Sequence, residues 1–117
     1  MVTETIDTSR IKAFPANTNT INVQRIQVTV AATAYQGPDM SVEDGFALVI
    51  KSDPTNAAAG LIYVGSSAST CLNPNTAWAL VLNESVAYFI TNANQVYVSG
   101  NSAGDNVLFT IEKRRSA

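Results

Sequence analysis

The chain has 117 residues, a length that supports one domain with a core of its own. Hydrophobic residues make up 46% of the sequence, but charged residues only 14%, against about a quarter in a typical soluble domain. The net charge is −2, and the basic cluster Lys113, Arg114 and Arg115 is confined to the C-terminus, which excludes the basic stripe of a nucleic-acid-binding protein. Ser, Thr and Asn take the place of charges, which suits a surface that contacts other proteins.

The first twenty residues, MVTETIDTSRIKAFPANTNT, lack a stable hydrophobic period. They mix Thr, Asn and charged residues with isolated apolar side chains that have no core of their own to enter. We interpret residues 1–20 as an extended N-terminal arm whose apolar side chains bind a neighbouring subunit or surface. A frayed terminus without a partner and an edge strand are the alternatives.

Residues 21–117 have the pattern of a single β domain. Segment 21–34 alternates between apolar and polar residues but changes parity near 24–25, which predicts a bulge or a bend there. GFALVIK, residues 45–51, is apolar on both faces, as expected of a central strand. Further strands are predicted at 60–65, 76–82, 86–90, 95–100 and 107–113, separated by turn residues. The sequence therefore predicts an all-β fold, an antiparallel β-sandwich or barrel of about seven short strands.

The residues that carry most enzyme chemistry are missing. The chain contains no histidine and a single cysteine, Cys71, which excludes Ser-His and Cys-His pairs, most zinc sites and an internal disulfide. Asp39, Glu43 and Asp44 lie in one loop, but their spacing does not match a calcium-binding loop, and a role in capping the turn is the stronger interpretation. We expect no enzymatic activity, no cofactor and no metal, and we expect Cys71 to be buried as a small apolar residue.

The aromatic residues raise the question of sugar binding. Trp78 and Tyr88 alternate in phase with aliphatic neighbours, which predicts that both rings pack in the core. Tyr63 and Tyr97 lie inside short apolar strands, which again favours burial. Tyr35, beside a Gly-Pro loop, is the best candidate for an exposed ring. A carbohydrate-binding β-sandwich that uses Tyr35 is therefore one of the alternatives that the sequence leaves open.

Residues 60–112, about half of the chain, resemble a pattern that recurs in small structural proteins of tailed phages. The runs IYVGSSAST, LVLNESVAYFI and NQVYVSGNSAGDNVLFTIEK carry the resemblance. In that pattern a strand ending in IYVG leads to an L-x-x-G-E-S-V turn, a VYV-x-G strand and a closing hairpin with AGD-x-V-x-F-x-x-E. Asn83 stands where the pattern often has Gly, and Asn also tolerates the positive φ that such a turn requires.

The resemblance implies a β-sandwich subunit of a virion, and the leading interpretation is a capsid decoration (cement) protein that binds the major capsid protein or another virion protein. It also implies a homo-oligomer, with a trimer favoured over a dimer, assembled in the host cytoplasm and located on the capsid surface. The arm would then supply the partner-binding residues Ile6, Arg10, Ile11, Lys12, Phe14 and Pro15. A tail, head-completion or fibre-base subunit is the first alternative, and the carbohydrate-binding module is the second.

The remaining expectations concern targeting. The opening residues have charges and Thr where a secretory signal has an apolar segment, and no apolar run approaches the roughly 20 residues of a membrane span. We therefore expect neither secretion nor a membrane among the partners of this chain.

Overall fold

The computed structural model describes residues 23–113, which form eight strands, one short α-helix and one turn of 3-10 helix. In chain order the elements are β1 (Val23–Gln27), β2 (Tyr35–Gln36), β3 (Phe46–Ser52), β4 (Ile62–Gly65), α1 (Ala68–Leu72), β5 (Trp78–Leu80), β6 (Ser85–Tyr88), the 3-10 helix (Ala93–Gln95), β7 (Tyr97–Gly100) and β8 (Asn106–Lys113). The predicted N-terminal arm, residues 1–20, lies outside the described residues.

The strands form two four-stranded antiparallel sheets. Sheet A has the strand order β1-β8-β3-β6, and sheet B has the order β2-β7-β4-β5. The chain passes between the sheets repeatedly, so most strands that follow one another in sequence do not pair. This order is that of a jelly roll, in which two Greek keys fold into a sandwich. The prediction of an all-β antiparallel sandwich is confirmed.

The hydrophobic core lies between the two sheets and is built on the central strands. Leu48 and Ile50 of β3, together with Phe109 and Ile111 of β8, are fully buried. The even-numbered residues of β3 thus point inward, while its other face is half-buried between β8 and β6, as its two-sided apolar sequence predicts. The facing residues of sheet B are also fully or almost fully buried: Ile62, Val64, Leu80 and Val98.

Segment 21–34 forms a shorter strand than its alternation predicts. The register of β1 with β8 runs unbroken from Val23 opposite Thr110 to Gln27 opposite Asn106, so the predicted bulge near 24–25 is absent from β1. The strand ends at Gln27, since the next residue, Val28, donates its N–H to the carbonyl oxygen of Asp105 in a loop. The two-residue strand β2, which follows at 35–36, is too short to show any alternation in the sequence.

A buried polar cluster closes one end of the sandwich after β3. Oδ1 of Asp53 accepts hydrogen bonds from both the backbone N–H and the hydroxyl of Thr55, each at 2.8 Å. Its other carboxylate oxygen lies 3.2 Å from a guanidinium nitrogen of Arg25. The two hydrogen bonds from Thr55, and then the charges of Arg25 and Lys51, outweigh the opposing effect of burial and lower the pKa of Asp53.

Acid is expected to weaken this end of the fold. The pKa of Asp53 is lower in the folded chain than the ordinary value, about 3.9, of an unfolded aspartate. The stability contributed by its carboxylate is therefore complete above that value and is lost as the pH falls through the folded pKa. Between about pH 5 and pH 2, the unfolding free energy of Asp53→Ala should fall less steeply than that of the wild type in urea titrations.

The control for this prediction is Asp39→Ala, which removes an exposed carboxylate and leaves the Asp53 cluster intact. It should keep the wild-type slope. Equal slopes for the wild type and Asp53→Ala would contradict the assignment of acid sensitivity to Asp53.

Candidate functional site

A cleft lies at the open side of the sandwich. Strands β5 and β6 are edge strands of different sheets, and the four-residue turn 81–84 joins them. None of the eight described strands closes the space between these two edges, and a cleft of about 490 Å³ remains there, which we call the edge cleft. Its lining residues are Val64, Gly65, Ser66, Asn75, Thr76, Ala77, Trp78, Tyr88, Ile90, Gln95 and Val96.

Two aromatic residues enter the edge cleft from opposite sheets. Trp78 pairs with Val64 and Tyr88 pairs with Leu48, and both partners are buried, so both aromatic residues lie on the inward faces of their sheets. The sequence alternation therefore predicts correctly that both residues lie on the inward face of their strands. The predicted burial of Trp78 is wrong, because β5 is an edge strand with the open cleft beside it and the indole is 60% exposed. Tyr88 is half-buried, and its burial raises the pKa of the phenol.

The rim of the edge cleft consists of neutral polar side chains. Oε1 of Gln95 accepts hydrogen bonds from the N–H groups of Thr91 and Asn92 at 3.0 and 3.1 Å, which fixes the amide at the mouth of the cleft. The hydroxyl of Thr76 donates to the carbonyl oxygen of Thr70 at 2.9 Å. Among residues 23–113, no charged residue belongs to the lining. The edge cleft thus combines apolar rings with fixed amide and hydroxyl groups.

Helix α1 holds one wall of the edge cleft in place. Ser67 caps the helix: its hydroxyl accepts from the N–H of Thr70 at 3.2 Å, and its own N–H donates to the Thr70 hydroxyl at 2.9 Å. The helix packs on the outer face of sheet B, where the hydroxyl of Ser99 donates to the carbonyl oxygen of Cys71 at 3.0 Å. Loop 66–77, which carries the rim residues of this wall, is thereby attached to sheet B.

Cys71 is buried as predicted, with 1% of its surface exposed. Burial raises the pKa of its thiol, although the hydrogen bond network with Ser99 opposes this effect. The group therefore remains a thiol at neutral pH, which makes it a poor nucleophile.

Tyr35 is not the exposed aromatic residue that the sequence predicts. Its ring is half-buried and packs against the core, and its hydroxyl accepts a hydrogen bond from the N–H of Val30 at 3.0 Å. The most exposed aromatic side chains among the described residues are Trp78 and Phe89, which are 60% and 71% exposed. Trp78 is therefore the ring more open to a ligand than Tyr35.

A second surface feature lies on the outer face of sheet A. Val23 lies opposite Thr110, Thr110 lies opposite Val49, and Val49 lies opposite Ala87. These four residues share a face and cross all four strands, and we call them the cross-strand row. In antiparallel sheets with one solvated face, the residues on that face are usually polar. A row of two valines, an alanine and a threonine is therefore an unusual outer surface.

Basic side chains flank the cross-strand row. In the next row of the same face, Arg25 and Lys51 both lie opposite Leu108, and Lys51 lies opposite Ser85. The Arg25 side chain is 56% exposed even though it forms its ion pair with Asp53. The outer face of sheet A therefore presents apolar groups with basic side chains on one side, whereas Glu112, opposite Ala47, lies on the same face on the other side of the row.

The acidic residues of the described part of the chain do not form a metal site. Within 23–113, no three Cys, Asp or Glu side chains are close enough to hold a metal ion. Asp39, from the acidic loop, accepts a hydrogen bond from Nδ2 of Asn92 at 2.8 Å, which ties that loop to the 3-10 helix. No helix in the same part of the chain is long and apolar enough to cross a membrane.

The six partner-binding residues predicted in the arm all lie outside the described residues, so their role stays a prediction. They are Ile6, Arg10, Ile11, Lys12, Phe14 and Pro15. The sequence missed both surface features of the sandwich, since each depends on which strands are neighbours.

Comparison with known proteins adds little to this description. No protein-family model matches the chain, and no curated protein matches it. A solved structure that resembles it comes from the Bacillus endospore appendages, described as a novel family of disulfide-linked pili. The two chains are 16% identical, the alignment covers 89% of this chain and 97% of the other, and the TM-score is 0.42. A likeness this distant carries no argument about what the present chain does.

Proposed function

We propose that this chain is a structural subunit that acts by docking on other protein subunits, and that it decorates the capsid of a tailed phage. The observation that carries the proposal is the cross-strand row, Val23, Thr110, Val49 and Ala87, on the outer face of sheet A. The resemblance of residues 60–112 to small phage structural proteins supplies the choice of the capsid as the partner.

The chemistry of this face favours a protein partner. Val23 is 49% exposed, and covering a solvated valine with another apolar surface lowers the free energy of the complex. Arg25 and Lys51, on one side of the row, favour a partner surface that carries carboxylates along that side. The partner that we propose is therefore a major capsid subunit with an apolar surface and carboxylates along one edge of it.

The size of the face indicates that it does not act alone. Four strands at about 4.8 Å spacing, each four to eight residues long at about 3.4 Å per residue, present roughly 250–500 Å². A stable interface needs about 800 Å² on each partner. Because the face is smaller than this, we propose that the arm, residues 1–20, supplies a second contact that adds to the first.

The proposal predicts that a charge placed in the cross-strand row weakens docking while the fold stays intact. Ala87 is exposed on edge strand β6, so Ala87→Glu should leave the unfolding free energy within about 0.5 kcal/mol of wild type. Its binding to expanded, undecorated capsid shells should fall at least about tenfold in co-sedimentation. Deletion of residues 1–20 should also weaken binding without unfolding the domain.

Ala79→Glu is the matched control, because Ala79 is exposed on the edge strand β5 of the other sheet. It should bind shells as the wild type does. Equal losses for Ala79→Glu and Ala87→Glu would count against the outer face of sheet A. Failure of the wild type to sediment with shells at micromolar concentration would contradict the capsid as the partner.

A further inference from the structure

We propose that the edge cleft is a binding site for a neutral saccharide, with one pyranose ring stacked on the indole of Trp78. This inference does not depend on the capsid or on the cross-strand row. It rests on the aromatic pair, the neutral polar rim and the volume of the cleft.

The aromatic residues provide the surface that a sugar ring needs. The C–H face of a pyranose is apolar and packs on an aromatic ring, whereas its hydroxyl groups require hydrogen bonds. Trp78 is 60% exposed even though it lies on the inward face of β5, so its ring is open to a ligand inside the cleft. Tyr88, half-buried on the opposite wall, presents a second ring with a hydroxyl group. Tyrosine and tryptophan commonly serve in this way, as apolar surfaces with one polar group.

The rim provides neutral hydrogen-bonding groups. Nε2 of Gln95 donates no hydrogen bond to another described residue, while its Oε1 is held by Thr91 and Asn92. The side chains of Ser66 and Asn75 likewise form no hydrogen bond within residues 23–113. The cleft thus presents a fixed amide donor on Gln95, together with donors and acceptors on Ser66 and Asn75, which match the hydroxyl groups of a sugar.

The charge of the site selects the class of saccharide. None of the described residues that line the cleft is charged, so beside them a carboxylate, sulfate or phosphate on the ligand would lose its hydration without gaining a counter-charge. A purely apolar ligand would in turn leave the rim amides unpaired. The volume, about 490 Å³, lies within the range of small-molecule sites. A neutral mono- or disaccharide unit satisfies all three conditions.

The single tryptophan of the chain gives a direct test, since its emission reports on the edge cleft alone. The probes are maltose, cellobiose, lactose and N,N′-diacetylchitobiose, titrated separately to about 20 mM. At least one should change the emission of Trp78 saturably, with a dissociation constant between about 10 µM and 10 mM. If none of them does so, the proposal is wrong.

Variants locate the site by calorimetry with the disaccharide that binds best. Trp78→Ala should weaken binding at least tenfold, and Asn75→Ala at least threefold, while both keep the wild-type circular dichroism spectrum. Phe89→Ala is the control, because Phe89 is also an exposed aromatic residue but does not line the cleft. Unchanged binding by Trp78→Ala, or an equal loss in Phe89→Ala, would overturn the proposal.

A peptide of residues 1–20 tests the main competing occupant. It should neither change the emission of Trp78 nor displace the disaccharide. Saturable binding of the peptide at micromolar concentration, with displacement of the sugar, would reassign the edge cleft to the arm of this chain.

Discussion

Valine in place of Gly65 is expected to destabilise the fold by about 3 kcal/mol and to disorganise the edge cleft at the same time. A Cβ atom at position 65 would lie 2.6 Å from the backbone nitrogen of Cys71 and 2.9 Å from its Cα. Both are backbone atoms of helix α1, so no change of rotamer relieves the clash. The helix must move away from sheet B, and the bond from Ser99 to the carbonyl oxygen of Cys71 is lost with it.

The same displacement reaches the site through loop 66–77. Asn75 and Thr76 of the rim lie three and four residues after the end of α1, and the hydroxyl of Thr76 donates to the carbonyl oxygen of Thr70 within the helix. Urea unfolding gives the stability, and the emission of Trp78 in the folded protein reports the change in the cleft. Ser66→Val is the control, since it places the same side chain one position later at an exposed site and should cost less than about 0.5 kcal/mol. Equal stabilities of Gly65→Val and wild type would contradict the close packing of α1.

Alanine in place of Asn56 is expected to cost about 3 kcal/mol of unfolding free energy. Only 8% of Asn56 is exposed, and its amide joins the loop after β3 to the first residue of β8. Oδ1 accepts from the N–H of Asn106 at 2.7 Å, while Nδ2 donates to the carbonyl oxygen of Asn106 at 2.9 Å and to Oγ of Ser52 at 3.1 Å. Without the amide, the N–H of Asn106 has no acceptor and too little access to water.

Asn101→Ala is the matched control for burial. Its Oδ1 also accepts from a backbone N–H, that of Leu61, and at the same distance of 2.7 Å. Asn101 is exposed, so water replaces the lost acceptor and the cost should stay below about 1 kcal/mol. Comparable losses in the two variants, measured by urea unfolding, would show that burial of the Asn56 network is not what makes it stabilising.

The fold class follows from local patterns in the sequence because the strands of the core have strong ones. In β8, Val107, Phe109 and Ile111 alternate with more exposed residues, and in β3 both faces are apolar. Asn83 has φ of 66°, which confirms that asparagine occupies a turn position suited to glycine. Such features depend only on neighbours along the chain.

Features that depend on distant neighbours were missed. The period of Trp78 predicts its face correctly, but its exposure follows from the position of β5 at the edge of sheet B, which no local pattern contains. Tyr35 is covered for the converse reason, since its hydroxyl meets a loop that turns back over it. Helix α1 is too short to show a helical period, although Ser67 and Thr70 carry the spacing of an N-terminal cap.

The two surface features follow the same rule. The cross-strand row depends on the strand order β1-β8-β3-β6. Val23, Val49 and Ala87 are distant in sequence and lie in one row because their strands belong to the same sheet. The edge cleft requires that the turn 81–84 pass from one sheet to the other instead of closing a hairpin. Neither fact is contained in the spacing of residues along the chain.

Hydrogen–deuterium exchange of the chain, free and bound to expanded shells, tests the docking of sheet A most directly. If the chain docks through sheet A, binding slows the exchange of backbone amides in the two edge strands of that sheet, Val23–Gln27 and Ser85–Tyr88. Exchange in Trp78–Leu80 of sheet B stays unchanged. Slower exchange confined to the strands of sheet B, with sheet A unaffected, would contradict it.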